Sequence, residues 1–341
     1  MQVRAREGDF IETSEGLIFD VKGLIHPPER VIAYLRYLPD GRGNRKRAGV
    51  KYRKVYELTA RAKLLGKKWP HYIFEDPVFN REVQAVPFDK VKRHYLPVEK
   101  FKELRDDTQQ NSKERLAADM AKMLIEEAGI STSNIGVSGS ILVDLHTNES
   151  DIDLILYGTD TARRCRARLA ALLEDRSRGL RSYDASDMRR LYKQRGLSSA
   201  VSFERFMRGE RSKVLQGKFR NTDYFIRCIK EWNELQEVYG DREYCQVGRA
   251  RVRGRVCDDS EAIFTPSTYQ IMDVEVVGGT VGRAPVQIVS FRGRFCEQAH
   301  AGERIIARGT LEKVLSKHGE THRLVIGENS RDFLTVVETS E

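Results

Sequence analysis

Long apolar runs, paired cysteines and internal repeats are all missing from this 341-residue sequence. No stretch reaches the roughly 18 apolar residues that a membrane-spanning helix requires, so we expect no such helix and no membrane partner. The N-terminal residues lack the apolar core of a signal peptide, and we therefore expect a cytoplasmic protein. The five cysteines include no Cys-x-x-Cys pair and are odd in number, which argues against a disulfide framework or a zinc module.

Positive charge is in excess and is concentrated in one part of the chain. The formal net charge is +9, and residues 159–230 contain 19 Lys and Arg residues against 8 Asp and Glu residues, a charge of +11 for that segment alone. A basic segment of this size favours a polyanionic ligand, either a triphosphate or a nucleic-acid backbone. A surface covered by ion pairs, as in heat-adapted proteins, explains the same composition. The sequence leaves both interpretations open.

The length of the chain predicts two or three domains, and residue patterns divide it at two places. Residues 1–105 combine alternating apolar positions with aromatic residues and prolines, and we predict an α+β module without a recognisable chemical motif. Residues 106–243 contain both helix and strand patterns. Residues 244–341 contain five short β-runs separated by glycines and polar turns, which predicts a small antiparallel β-barrel. The predicted fold class is therefore mixed α+β.

The middle region is predicted to contain a helix followed by two short strands. Asn111 and Glu114 match a capping box at the start of the helix, and Gly129 matches the residue that ends it. Apolar runs then predict strands over residues 135–143 and 151–157, the first of them interrupted by small residues.

Two aspartates lie at the start of the second of these strands. Residues two apart in a strand point to the same side, so Asp151 and Asp153 share a face. Two like charges on an apolar strand repel each other and resist burial, and a shared cation removes that conflict. Earlier in the chain, Gly139 allows the backbone to approach a phosphate closely, and Ser140 offers a hydroxyl and an amide N–H as donors. These residues predict a site for a polyphosphate and a divalent metal.

The motif Gly139-Ser140, ten further residues and then Asp151-x-Asp153 resembles the signature of the minimal nucleotidyltransferases in the DNA polymerase β-like superfamily. The resemblance covers about residues 111–230 and implies a nucleotidyltransferase-fold core, a mixed β-sheet with flanking helices. It implies a Mg²⁺-dependent enzyme that transfers a nucleotide from an NTP, such as ATP, and releases pyrophosphate. It also implies that Gly139 and Ser140 bind the β- and γ-phosphates. Asp151 and Asp153 would hold the metal, with two Mg²⁺ ions expected and Mn²⁺ as the alternative.

Members of this family commonly have a third carboxylate on a later strand, which binds metal and takes part in activating the acceptor hydroxyl. The match that we favour is Asp223, in a strand predicted over residues 219–229, and we assign it to catalysis and metal binding. Asp273 is the alternative, although a solvent-facing strand of the predicted barrel explains it. Lys218 and Arg220 are assigned to nucleotide binding, because ammonium and guanidinium groups match phosphate oxygens. Structural pairing with acids explains each of these two cations as well.

The sequence leaves the acceptor open, with an RNA end, a protein side chain and a small hydroxylated molecule as candidates. Basic residues interleaved with Phe over residues 290–295 resemble part of an OB-like barrel weakly and suit base stacking on a nucleic acid, although a packed barrel core predicts the same pattern. The alternative to an enzyme is a nucleotide-sensing or nucleic-acid-binding protein that keeps the nucleotidyltransferase fold without turnover.

Overall fold

Strands and helices are mixed along the chain, which confirms the predicted α+β class. This computed structural model describes residues 3–107, 111–196, 201–280 and 282–337, with the side chain of Leu58 excepted. Within those ranges, no helix combines the length and the apolar character that crossing a membrane requires. All five cysteines are free thiols.

The chain divides into two units. The first comprises Met1–Pro77, Arg81–Ala171 and Phe219–Tyr239, and the second comprises Val78–Asn80, Leu172–Lys218 and Gly240–Glu341. The first unit therefore contains most of the predicted N-terminal module together with the Gly139-Ser140 and Asp151-x-Asp153 motifs. The division into three domains, with boundaries after residues 105 and 243, stays a prediction.

The first unit begins with an antiparallel sheet. Its strands are β1 (Phe10–Thr13), β2 (Ile18–Val21), β3 (Arg30–Pro39), β4 (Arg45–Arg47), β5 (Val50–Lys54), β6 (Ile73–Asp76), β7 (Arg81–Pro87) and β8 (Val91–Tyr95). Helices α1 (Leu58–Lys68) and α2 (Pro97–Asp106) belong to the same stretch of chain. The strands are joined in the order β4-β5-β3-β2-β1-β8, and β7 pairs with both β3 and β6.

This N-terminal sheet buries apolar side chains on both faces, because successive strand residues point in opposite directions. Phe19 lies on one face, in the same apolar cluster as Leu65 of α1. Tyr37 lies in a cluster with Leu142, only two residues after Ser140. The second face of the sheet therefore lies against the chain segment that follows the predicted phosphate-binding residues.

The middle of the chain supplies a second, smaller sheet. The elements are α3 (Ser112–Ala128), β9 (Ile135–Val137), α4 (Gly139–Leu142), β10 (Ile152–Tyr157), α5 (Thr159–Glu174), β11 (Leu180–Arg181), α6 (Ala185–Gln194), α7 (Phe203–Arg211), β12 (Gln216–Phe219) and β13 (Thr222–Ile229). Within the first unit, β10 pairs antiparallel with β9 and parallel with β13. The predicted capping box at Asn111 and the left-handed end of α3 at Gly129 are both confirmed.

Two predicted strands are shorter than the sequence indicated. The first strand of the middle region ends at Val137 rather than Val143, because Gly139 adopts a φ of 64° and turns the chain into α4. The strand predicted over residues 219–229 is interrupted at Arg220 and Asn221, which both have positive φ values and form a turn before β13. A left-handed residue departs from the extended backbone of a strand, so each interruption has a local cause.

The second unit contains the β-rich C-terminal region, as predicted. Its strands are β14 (Arg242–Asp258), β15 (Ser267–Gly279), β16 (Gln287–Ser290), β17 (Arg304–Ser316), β18 (Gly319–Val325) and β19 (Phe333–Val336). The order is β14-β15-β16-β18-β17-β19, and a further pairing between β14 and β17 closes five of these strands into a ring. All the pairings are antiparallel except that of β16 with β18. Apolar side chains such as Val252, Ile305 and Leu324 form the core of this sheet.

Candidate functional site

Gly139 and Ser140 lie in a sharp turn directly after β9. The amide N–H of Ser138 donates to the carbonyl oxygen of Asp153 at 2.8 Å, so the turn starts beside β10. The Ser138 hydroxyl donates to the carbonyl oxygen of Gly8 at 2.6 Å and holds the turn on the N-terminal segment. Gly139 then adopts its left-handed conformation, which residues with a side chain seldom adopt, and α4 begins.

The turn contacts the aspartate motif directly. A side-chain carbon built on Gly139 would overlap a carboxylate oxygen of Asp153 and would lie 2.9 Å from the Asp153 Cβ atom. Glycine is therefore required at this position for two separate reasons, its positive φ and the space that Asp153 occupies. The structure thus brings the two halves of the sequence motif together at one place.

Asp151 immediately precedes β10 and is exposed, and Asp153 is the second residue of β10 and is partly buried. Among the described residues, neither carboxylate has a hydrogen-bond donor or an ion-pair partner. Burial and the neighbouring Asp151 charge raise the pKa of Asp153 to about 7. A partly desolvated carboxylate beside a second one is costly for the protein alone. The oxygen donors and their mutual repulsion therefore fit a divalent cation such as Mg²⁺.

Positive charges from the N-terminal sheet act on these acids. The charge of Arg227 on β13, followed by the charges of Arg36 on β3 and Lys54 on β5, lowers the pKa of Asp153 against the larger effects of burial and Asp151. Burial and the Arg36 charge in turn lower the pKa of Lys54 to about 8. Neither Lys54 nor Arg36 has a carboxylate within ion-pair distance in the described part of the chain. The sequence of this module contains no recognisable chemical motif, so it indicates no role for either residue.

The hairpin of β4 and β5 is attached to the loop that follows Ser140. The Arg45 guanidinium donates to the carbonyl oxygen of Leu145. The Arg47 guanidinium donates to the carbonyl oxygen of Val143 at 3.4 Å and pairs with Glu12 at 2.7 Å. These contacts fix the hairpin, and with it Lys54, relative to the Gly139 turn.

The other residues assigned to nucleotide binding have different surroundings. Ser140 is buried, and its hydroxyl has no hydrogen bond to any residue that the structure describes. Lys218 lies 3.5 Å from Asp187 within the second unit. Arg220 pairs with Asp119 at 2.6 Å within the first unit. Both cations thus have acidic partners, as the structural interpretation of these residues predicts.

Asp223 shares a strand face with the aspartate pair. In the parallel pairing of β10 with β13, Asp153 lies opposite Phe225. Asp223 comes two residues before Phe225, just as Asp151 comes two residues before Asp153. Because residues two apart share a face, this register places Asp223 on the same face as Asp151 and Asp153.

Asp273, the alternative third carboxylate, belongs to β15 in the second unit, where Arg255 pairs with it at 2.8 Å. Within the described ranges, no group of three His, Cys, Asp or Glu side chains is placed to hold a metal ion. The fit to a metal therefore rests on Asp151 and Asp153, and Asp223 as the third ligand stays a prediction.

Gly139→Val is expected to weaken NTP binding by at least tenfold, because the new side chain would displace Asp153 and would oppose the left-handed turn. Titration of the folded variant with NTP and Mg²⁺ measures the loss. Gly23→Val is the matched control, because Gly23 also has a positive φ (78°) but has open space around its missing side chain. Both variants bear a backbone strain of about 1–2 kcal/mol. Unchanged NTP affinity in Gly139→Val would show that the phosphates bind elsewhere.

A relative of the whole chain is found in Methanocaldococcus jannaschii. The chain is 33% identical to the uncharacterized protein MJ1086 of that organism over an alignment of 345 positions, which covers 98% of each chain. No protein-family model and no solved structure matches the chain. The similarity to the M. jannaschii protein extends over both units.

Proposed function

The chain belongs to the same family as the M. jannaschii protein, and we propose that it is a Mg²⁺-dependent nucleotidyltransferase of the DNA polymerase β-like superfamily. It transfers a nucleotidyl group from an NTP, such as ATP, to a hydroxyl acceptor and releases pyrophosphate. The observation that carries this proposal is the contact between the left-handed turn at Gly139 and the Asp153 carboxylate, which has no hydrogen bond or ion pair within the described residues. Asp151 on the same strand face supplies the second acid.

The residues of the site divide the chemical work between them. The backbone N–H groups of the turn and the Ser140 hydroxyl donate to the phosphates of the nucleotide. Asp151 and Asp153 hold Mg²⁺, which when bound offsets the charge that develops on the phosphoryl oxygens. Lys54 and Arg36 lie on the N-terminal sheet, where their charges act on the aspartates, and they neutralise the triphosphate.

An NTP labelled at the α-phosphate tests the proposal. The purified protein is incubated with the labelled NTP, Mg²⁺ or Mn²⁺, and separate fractions of cell RNA, protein and metabolites. We expect label on an acceptor in one fraction together with released pyrophosphate, and loss of both products in EDTA. NTP binding without any transfer in all fractions would favour the alternative, a nucleotide-sensing protein without turnover. Absence of NTP binding would overturn both.

Lys54→Met is expected to weaken binding of the NTP by about 10- to 100-fold, the usual range for losing one charge-assisted hydrogen bond. Burial and the Arg36 charge lower the pKa of Lys54 to about 8. Wild-type affinity should therefore fall as the pH rises through about 8, whereas the affinity of the variant should not. Calorimetric titration with tripolyphosphate measures this contact independently of turnover.

Lys51→Met is the matched control for Lys54→Met, because Lys51 lies on the same strand but is exposed. We expect its affinity for tripolyphosphate to equal that of the wild type. If the two variants behaved alike, Lys54 would not contact the phosphates, although transfer by the wild type would still support the nucleotidyltransferase.

The C-terminal sheet supports a nucleic acid as the acceptor within this proposal. Its five-stranded ring with one parallel pair is compatible with a small OB-like barrel, an architecture that binds single strands. An RNA acceptor and a cytoplasmic location both belong to the proposal, and the RNA fraction of the labelling experiment tests the first of them.

A further inference from the structure

Five arginines lie on the outward side of two neighbouring strands of the C-terminal sheet, and we call them the arginine face: Arg251, Arg253, Arg255, Arg304 and Arg308. β14 and β17 pair without a register shift from Gly248 to Arg255. Val252 on β14 and Ile305 on β17 are part of the apolar core. The arginines alternate with these core residues, so they point away from the core. Ile306, which is buried, lies between Arg304 and Arg308 on the same side of β17.

The arginine face contains two pairs of like charges directly opposite each other. Arg251 lies opposite Arg308, and Arg255 lies opposite Arg304. Opposite side chains in an antiparallel pair have their Cβ atoms about 5 Å apart, and like charges at that distance destabilise the pairing. Asp273 pairs with Arg255. In the described part of the chain, the other four arginines have no carboxylate within ion-pair distance, although Glu275 on β15 lies directly opposite Arg253.

The basic segment over residues 159–230 differs from the arginine face in this respect. Arg168 pairs with Glu127 at 2.5 Å, and Arg195 pairs with Glu210 at 2.7 Å. These ion pairs neutralise part of the positive charge from which the sequence predicts a polyanionic ligand. Four of the five residues of the arginine face, in contrast, form no ion pair in the described part of the chain. The repulsion within its two opposing pairs is relieved when an anion binds between the guanidinium groups.

We propose that the arginine face binds the sugar–phosphate backbone of a single nucleic-acid strand. Same-face residues along a strand are about 7 Å apart, and this spacing suits successive phosphates of an extended single strand. A guanidinium group can donate two parallel hydrogen bonds to one phosphate. Several guanidinium groups at this spacing match several connected phosphates, which favours a nucleic acid over a small anion. The contacts are to the backbone, so binding depends on charge and is the same for different base sequences. This inference does not depend on the proposed nucleotidyltransferase activity.

Fluorescence anisotropy with labelled 20-residue oligo(U) and oligo(dT) across a salt series tests the proposal on the full chain. The variant is the double substitution Arg251→Ser with Arg308→Ser. We expect its affinity to fall about 10- to 100-fold, and the slope of log K against log salt to become shallower by about 1.4, or roughly 0.7 for each lost phosphate contact. The melting temperature should not fall, because one pair of opposing charges is removed. Equal binding of the two oligonucleotides would assign recognition to the phosphates, and tighter binding of oligo(U) would add the ribose hydroxyl to the same site.

The matched control is the double substitution Arg42→Ser with Arg283→Ser, which removes the same charge outside the arginine face. These two residues are chosen because their side chains are highly exposed (92% and 77%). Its affinity and salt slope should equal those of the wild type. If the double arginine-face variant unfolded, Arg253→Ser alone would provide the measurement. An unchanged salt slope in the arginine-face variant, or an equal loss in the control, would overturn the proposal. So would tighter binding of poly-glutamate than of either oligonucleotide, since an acidic protein would then be the partner.

Discussion

Asp153→Asn is expected to abolish nucleotidyl transfer and, without divalent metal, to give a protein more stable than the wild type at pH 8. Asn keeps the shape of Asp but removes the charge that holds Mg²⁺, so transfer is lost. Burial and Asp151 raise the pKa of Asp153 to about 7 in the folded state. In the unfolded chain the pKa is about 4, so the unfolded chain releases this proton first as the pH rises.

The pH dependence of stability has a definite sign. Between about pH 4 and pH 7 the folded wild type binds one more proton at Asp153 than the unfolded chain does, so its free energy of unfolding falls as the pH rises. The total loss is on the order of a few kcal/mol. Asp153→Asn removes this contribution, and its stability should vary less over the same range. Thermal unfolding in EDTA at pH 5 and pH 8 measures the difference.

Asp160→Asn is the control for both effects. Asp160 is 84% exposed and pairs with Arg164 at 3.4 Å on α5, so its loss should change neither transfer nor stability by much. Asp151→Asn should lose transfer like Asp153→Asn but gain less stability, because Asp151 is exposed. Pyrophosphate release near the wild-type rate by Asp153→Asn would reject the metal site even if the stability changed as expected.

The part of the site that could be predicted from sequence is the part that depends on local geometry. The alternation of a strand places Asp151 and Asp153 on one face wherever the strand lies. Gly139 followed by a polar residue indicates a turn, and the capping box at Asn111 and Glu114 is itself a local arrangement. The sequence predicts the end of β9 too late, because apolar residues continue past Gly139 and hydrophobicity gives no information on the backbone angle φ.

The contribution of the N-terminal sheet could not be predicted, because it depends on strand pairings far apart in sequence. Arg36 and Lys54 act on Asp153 across about one hundred residues of chain. The available signal was the composition of residues 41–54, which contain seven Lys and Arg residues and no acid. That signal predicts a basic hairpin but does not say which surface it faces.

For Lys218 and Arg220, the local sequence predicts a role in nucleotide binding, but the structure gives them acidic partners. Both are next to the predicted Asp223 strand and both match phosphate chemistry, so the local sequence predicts that they bind the nucleotide. Their acidic partners come from other elements, Asp187 of α6 and Asp119 of α3. These partners lie 31 and 101 residues away in the sequence. The local sequence therefore cannot show whether Lys218 and Arg220 pair with an acidic side chain or bind a phosphate.

Asp223→Asn is expected to spare NTP affinity but to reduce turnover by about 10²–10⁴-fold, the usual range for losing a positioned proton acceptor. The phosphates are assigned to the Gly139 turn and Lys54, and Asp151 and Asp153 remain to hold metal, so binding should persist. The register of β13 on β10 places Asp223 on the face of the other two acids, where a carboxylate can act on the acceptor hydroxyl. Single-turnover measurement at saturating NTP separates this loss from weaker binding.

Asp273→Asn is the matched control, because it removes the competing carboxylate from another strand. Among the described residues, the Asp273 carboxylate forms an ion pair with Arg255. The turnover of the Asp273→Asn variant should equal that of the wild type. Loss of turnover in Asp273→Asn alone would move the third carboxylate to the C-terminal sheet. If neither variant lost turnover while Asp153→Asn did, two carboxylates would suffice, and the acceptor hydroxyl would have to lose its proton to another base. Loss in Asp223→Asn alone, with NTP affinity intact, is the result that separates an enzyme from a nucleotide-sensing protein, because a sensor has no turnover to lose.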